Sequence, residues 1–180
     1  MLEVRTTLCD WFTRISSSNE LSPEIRPLRA SDRDALLELA GSVGLFDAGQ
    51  LDFVAGMIDQ FLDGTSAPGH RWFVLVTSVG LEGVAYIAPE AMTDGTWNLL
   101  LIAVSPQSQG KGLGTLLVRF VESLLRAEEQ RILLVETSGL DTYRATRSFY
   151  LGNGFVEQAR IPEYYSAGQD KVVFWKRLED

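Results

Sequence analysis

The chain has 180 residues, 46% of them apolar, which describes one ordinary globular domain able to bury a core without metal or disulfide staples. Its single cysteine, Cys9, excludes a structural disulfide within the chain. With 24 acidic against 16 basic side chains the formal net charge is −8, which argues against a non-specific nucleic-acid binder, and no window reaches the roughly 18 consecutive apolar residues of a membrane span.

Residues 1–23 read as a tail or extra element, ending in the turn-rich Ser16-Ser17-Ser18-Asn19 and Ser22-Pro23. Glu3 and Asp10 stand where a signal peptide would start basic and run apolar, so a cytoplasmic location is expected. The domain itself spans 24–180. Residues 25–28 read as a short strand that Pro27 confines to an edge or an end. Ser31 opens a Ser-x-x-Asp pattern ahead of Leu36, Leu37 and Leu39, approximating a capping box on an amphipathic helix closed by Gly41 and Gly44. Leu51, Val54, Ile58, Phe61 and Leu62 mark one face of a second helix, with Gly64 as terminator.

From Arg71 the period changes. Residues 72–77 and 84–88 are β-rich runs separated by Gly80 and Gly83, an antiparallel pair with a short connection. Residues 97–104 are nearly all apolar, which predicts a central strand with both faces covered. Leu113, Leu116, Leu117, Phe120, Val121, Leu124 and Leu125 then follow helical spacing, and Glu122 and Arg126 fall on the face read as exposed. A strand over 131–137, a short helix over 143–153 ended by Gly154, and strands over 155–161 and 171–177 complete the order.

Between the central strand and the strongest helix lies Gln109-Gly110-Lys111-Gly112-Leu113-Gly114. A helix start leaves backbone N–H groups without partners, the macrodipole adds partial positive charge, and glycines let a phosphate approach closely. The loop therefore reads as an anion site, the alternative being a turn whose glycines serve packing. It is no Walker A loop, because Gly112 follows Lys111 where Ser or Thr is required. Nor is it a dinucleotide fingerprint: Thr115 stands at the third glycine position, and antiparallel runs precede the loop.

These residues resemble the Gln/Arg-x-x-Gly-x-Gly/Ala loop of the GCN5-related N-acetyltransferases, the GNAT family. A second match is Arg147-Ser148-Phe149-Tyr150-Leu151-Gly152-Asn153-Gly154-Phe155, similar to the family's Phe-Tyr-x-x-x-Gly-Phe segment. The resemblance covers about residues 24 to 178. It implies an α/β (α+β) GNAT fold: a central mixed, mostly antiparallel sheet of about seven strands, flanked by about four helices and splayed between strands 4 and 5.

The resemblance also implies the chemistry, an acetyl-CoA-dependent transfer of an acetyl group directly to a primary amine of a small molecule or peptide, with no metal. The pantetheine arm would lie along Ile102, Ala103 and Val104, and Gln109, Gly110, Lys111, Gly112, Leu113, Gly114 and Thr115 would hold the pyrophosphate. Tyr150 matches the family's general acid toward the departing thiolate. Glu136, at a Leu-x-Glu strand end like that of the ribosomal-protein alanine acetyltransferases, is the candidate base, a water relay being the alternative. Tyr165, in the last strand-to-strand connection, is a candidate acceptor contact. Relatives often carry asparagine early in the fourth helix, where this chain has Tyr143.

Family members often pair, so a homodimer is an expectation. The alternative of a different class is a non-catalytic acyl-CoA-binding or sensing module, against which Tyr150 and Glu136 together speak. The remaining distinctive residues take plain readings. His70 lacks the Cys or carboxylate neighbours of a metal site, Trp72, Trp97 and Trp175 fall in strand patterns, and Arg119, Arg126, Arg131 and Arg147 read as surface charges. The acceptor carries no motif, although the acidic surface favours a cation.

Overall fold

The computed structural model describes residues 22–44 and 48–178. Except for residues 22 and 23, the segment read as a tail, Cys9 included, lies outside the described residues. The elements follow the expected order: β1 (Glu24–Pro27), α1 (Arg33–Ser42), α2 (Ala48–Leu62), β2 (Arg71–Thr77), β3 (Gly80–Pro89), β4 (Thr96–Val104), α3 (Leu113–Ala127), β5 (Ile132–Ser138), α4 (Arg144–Gly152), β6 (Val156–Ser166) and β7 (Gln169–Arg177). They build one seven-stranded sheet in the order β1-β2-β3-β4-β5-β7-β6. Every pairing is antiparallel except that between β4 and β5. Among the described residues no helix is long and apolar enough to cross a membrane.

Strand alternation sends side chains to two cores, one on each sheet face. The larger joins Phe73, Leu75, Ile87, Leu99, Leu133 and Phe174 of the sheet to Leu117, Val121 and Leu125 of α3 and Tyr150 of α4. The smaller joins Trp72, Val74, Val84 and Tyr86 to Leu36 and Leu39 of α1 and Val54 and Ile58 of α2. Gly83, expected in the hairpin connection, instead sits within β3, where a Cβ would lie 3.0 Å from Leu117 Cδ1. Its missing side chain lets α3 lie close on the sheet.

Three further expectations are corrected. Ser31 does not cap α1: residues Ala30–Asp32 form a 3-10 turn, and the Asp32 carboxylate accepts the Arg29 N–H at 2.9 Å and a two-pronged contact from Arg26 at 2.6 and 2.9 Å. Glu122 is buried, its carboxylate 2.5 Å from Lys176 Nζ and 3.5 Å from Arg126. Tyr164 and Tyr165 are not in a loop, because β6 runs on to Ser166 past Pro162. β6 is the outermost strand and its pairing with β7 is broken between Ile161 and Ser166, so Pro162 stands where the ladder calls for no donor.

The hydrogen bonds from Arg26 hold the Asp32 carboxyl below the usual carboxylate range, against the upward pull of burial. A depressed folded pKa contributes stability above the unfolded value of about 3.9, and that contribution disappears as pH falls through the folded value. Asp32→Asn is expected to destabilise the protein at neutral pH by about 2 kcal/mol, between the exposed and buried limits for ion pairs. Urea melts should show that difference shrinking below about pH 4. A difference independent of pH would show that the Arg26 pair contributes nothing.

Candidate active site

β4 and β5 pair only from Thr96 to Leu99 against Ile132 to Val135. Beyond that both strands continue unpaired to each other, to Val104 and Ser138, and the sheet opens into a wedge. The opening starts at a β-bulge: Ile87 faces Leu99 and Tyr86 faces Leu101, so Leu100 is an extra residue, half-exposed at the mouth. The Ser105 N–H donates to the Glu82 carbonyl of β3 at 2.9 Å, and backbone alternation then turns the N–H and C=O groups of Ile102 and Val104 toward the wedge. The Val104 carbonyl accepts the Gln109 side-chain amide at 3.1 Å.

After Val104 a 3-10 turn over Pro106–Ser108 leads into the glycine loop. Gly110 and Gly112 have φ of 75° and 84°, a region strained for any residue with a Cβ. The first helical hydrogen bond of α3 runs from the Leu116 N–H to the Gly112 carbonyl at 3.0 Å, leaving the N–H groups of Leu113, Gly114 and Thr115 without helical acceptors. Ser108 is buried and donates its hydroxyl to Glu82, which anchors the turn from below. At Gly114 a Cβ would lie 3.2 Å from two carbons of the Phe149 ring, so α4 docks directly on the first turn of α3.

Two cavities occupy the wedge. One, of about 530 Å³, is lined by Ile102, Ala103, Val104, the glycine loop and α4 residues Ala145, Thr146 and Phe149. The other, of about 500 Å³, is lined by Leu99 to Ile102 of β4, Glu136 to Ser138 of β5, Tyr143 and Tyr165. Ile102, Thr146 and Tyr150 line both.

Tyr150 is 4% exposed, with its ring among Phe149, Phe155 and Phe174 at centroid distances of 5.4, 5.8 and 5.5 Å. Among the described residues its hydroxyl has no hydrogen-bond partner, and burial pushes the phenol well above its ordinary pKa. Glu136 Oε2 lies 2.5 Å from Lys171 Nζ, which in turn sits 4.4 Å above the Tyr164 ring. Burial lowers the Lys171 pKa, but the hydrogen bond and charge of Glu136, with Tyr164, outweigh it and the net shift is upward. The Tyr165 phenol is also pushed up, first by burial and then by the Glu136 carboxylate.

An acetyltransferase (GNAT) domain model matches residues 68–157. The crystal structure of a GNAT-family protein from Desulfovibrio desulfuricans is similar at 30% identity and a TM-score of 0.83, over 88% of this chain and all of that one. The chain belongs to the GNAT acetyltransferase family. By type it is an N-acetyltransferase. The ribosomal-protein-S18-alanine N-acetyltransferase from Escherichia coli shares the fold at 18% identity and a TM-score of 0.70, over 88% of this chain and 96% of that one. A structure from Salmonella typhimurium with its cofactor acetyl-CoA does so at 18% identity and a TM-score of 0.68, over 89% of this chain and 96% of that one. A search of curated proteins finds no match.

Of the loop residues singled out in this GNAT chain, Gln109, Gly110, Gly112, Gly114 and Thr115 line the first cavity together with Ile102, Ala103, Val104 and Tyr150. Lys111 and Leu113 do not: the ammonium reaches Ser108 Oγ at 3.3 Å, and Leu113 packs against the larger core. Glu136 and Tyr165 line the second cavity. Sequence reasoning missed Thr146 and Leu100, which carry no motif. It also read Arg147 as a surface charge, whereas its guanidinium donates to the Ser138 and Leu140 carbonyls at 2.8 and 2.7 Å and fixes the connection from β5 to α4. Tyr143 faces the second cavity, while α4 meets the first through Ala145, Thr146 and Phe149.

Proposed function

We propose that this enzyme transfers an acetyl group from acetyl-CoA directly to a primary amine, with the thioester at the junction of the two cavities. The observation that carries this reading is the sharing of Ile102, Thr146 and Tyr150 by a cavity fit for the cofactor and a second one open to an acceptor. The fit to coenzyme A rests on the loop: open space around Gly110 and Gly112, and three N–H groups at the helix start with no acceptor among the described residues, suit a pyrophosphate. The free edge of β4 suits the amides of a pantetheine arm, which would add to it like a strand.

The amine nitrogen attacks the thioester carbonyl carbon, the C–N bond forms and the C–S bond breaks. The Val104 N–H, facing the wedge, donates to the carbonyl oxygen as charge gathers there. Tyr150 gives its proton to the departing sulfur and recovers one from solvent. The amine proton leaves to Glu136, directly or through a water. The domain over 24–180 carries this whole apparatus, and residues 1–23 are an addition to it.

The test is calorimetric titration with acetyl-CoA, followed by thiol release in the presence of an amine panel. The expected result is saturable binding and release that depends on an amine. Binding without release for any amine would favour an acyl-CoA sensor, and no heat at millimolar coenzyme A would remove the cofactor assignment.

A further inference from the structure

Among the described residues lining the second cavity, Glu136 is the only one that carries a formal charge. Lys171 does not line it; it stands behind Glu136, its side chain 12% exposed, with Nζ 2.5 Å from Oε2. The lysine is fixed from the other side by the Tyr164 ring, 4.4 Å from Nζ, and Tyr164 meets the cavity-lining Tyr165 edge-on at 5.0 Å. This places a cation on one oxygen of the single carboxylate that lines the cavity among the described residues, and leaves Oε1 for an incoming ammonium.

We propose that Glu136 and Lys171 act as one unit that sets the charge of the acceptor: the site takes an amine with a single positive charge, and Lys171 turns away diamines and polyamines. This rests on the reading of the second cavity as the acceptor site. A bare glutamate would give the cavity a net negative charge that a second ammonium could share. Paired with Lys171 the unit is neutral, so among the described residues a second ammonium finds hydroxyls, neutral amides and aromatic rings, no free carboxylate, and the Lys171 charge nearby. The chain's net charge of −8 does not supply the missing counter-charge, because exposed charges are screened over about 10 Å and act on approach more than on seating. Lys171 is thus a positioning residue and a selectivity residue; it touches no reacting atom.

The test compares thiol release with pentylamine and with cadaverine, two acceptors of one chain length that differ by an ammonium. Wild type is expected to favour pentylamine in kcat/KM by at least about tenfold. Lys171→Met should reduce that ratio at least about fivefold, chiefly through KM for the diamine, Lys171→Gln should do the same, and Lys171→Arg should retain the wild-type ratio. A wild-type preference for cadaverine, or a ratio unmoved in both neutral variants, overturns the proposal and leaves the acetyltransfer reading intact. Acetyl-CoA binding with no release from any amine overturns the acceptor site itself and this proposal with it.

Discussion

Tyr150→Phe is expected to lower kcat by about 10²–10⁴-fold, the range for losing a general acid, while the affinity for acetyl-CoA stays within about threefold. The substitution keeps the ring among Phe149, Phe155 and Phe174, and no partner of the hydroxyl is orphaned, since it has none among the described residues. What is lost is the proton at the junction of the two cavities. Burial raises the phenol, so Tyr150 is protonated throughout the neutral range, and the same burial penalises a bare thiolate until a proton reaches it. The raised folded pKa has a stability consequence of definite sign. Its contribution is complete below the unfolded value of about 10 and is lost as pH climbs toward the folded one, so Tyr150→Phe should flatten the alkaline fall in stability. Single-turnover thiol release decides the catalytic role: wild-type rates in the variant would remove Tyr150 from the mechanism.

What the sequence made legible, and what it did not, follows from the range of the interactions. Helix α3 was readable because Leu117, Val121 and Leu125 repeat at helical spacing within one segment, and the loop because Gly110 and Gly112 mark backbone angles that other residues resist. Glu122 was misread for the opposite reason. Its local partner Arg126 is four residues away and suggested an exposed face, whereas Lys176, 54 residues away, is what makes burial tolerable. The Leu100 bulge leaves no trace in an unbroken apolar run, since only the pairing with Tyr86 and Ile87 reveals the extra residue. The sequence pattern ends this strand at Ile161, whereas β6 continues through Tyr164 and Tyr165 at the sheet edge, beyond an irregularity in its pairing with β7 that no local pattern marks. The first cavity is lined largely by one contiguous stretch, residues 102–115, and that stretch could be singled out in the sequence. The second cavity is assembled from α2, β4, β5, α4, β6 and β7, with Lys171 behind it, and no short pattern encodes such a meeting.

Gly112→Val is expected to weaken acetyl-CoA binding at least about tenfold, a loss of roughly 1.4 kcal/mol, with the fold retained. Gly112 has φ 84°, so any side chain adds backbone strain of about 1–2 kcal/mol, and strain alone could depress every measurement on the variant. Gly64 supplies the control. It follows α2 with φ 72°, a Cβ there meets nothing within 4 Å, and it lines neither cavity. Gly64→Val therefore carries a similar strain at a site remote from the loop. Both variants should lose similar Tm, but only at Gly112 does the added side chain stand in the open space where phosphate oxygens must approach the N–H groups of Leu113, Gly114 and Thr115. Calorimetric titration of the two proteins with acetyl-CoA separates the effects. Equal affinity in the two variants would mean that the loop does not hold the pyrophosphate, however well its conformation suits one.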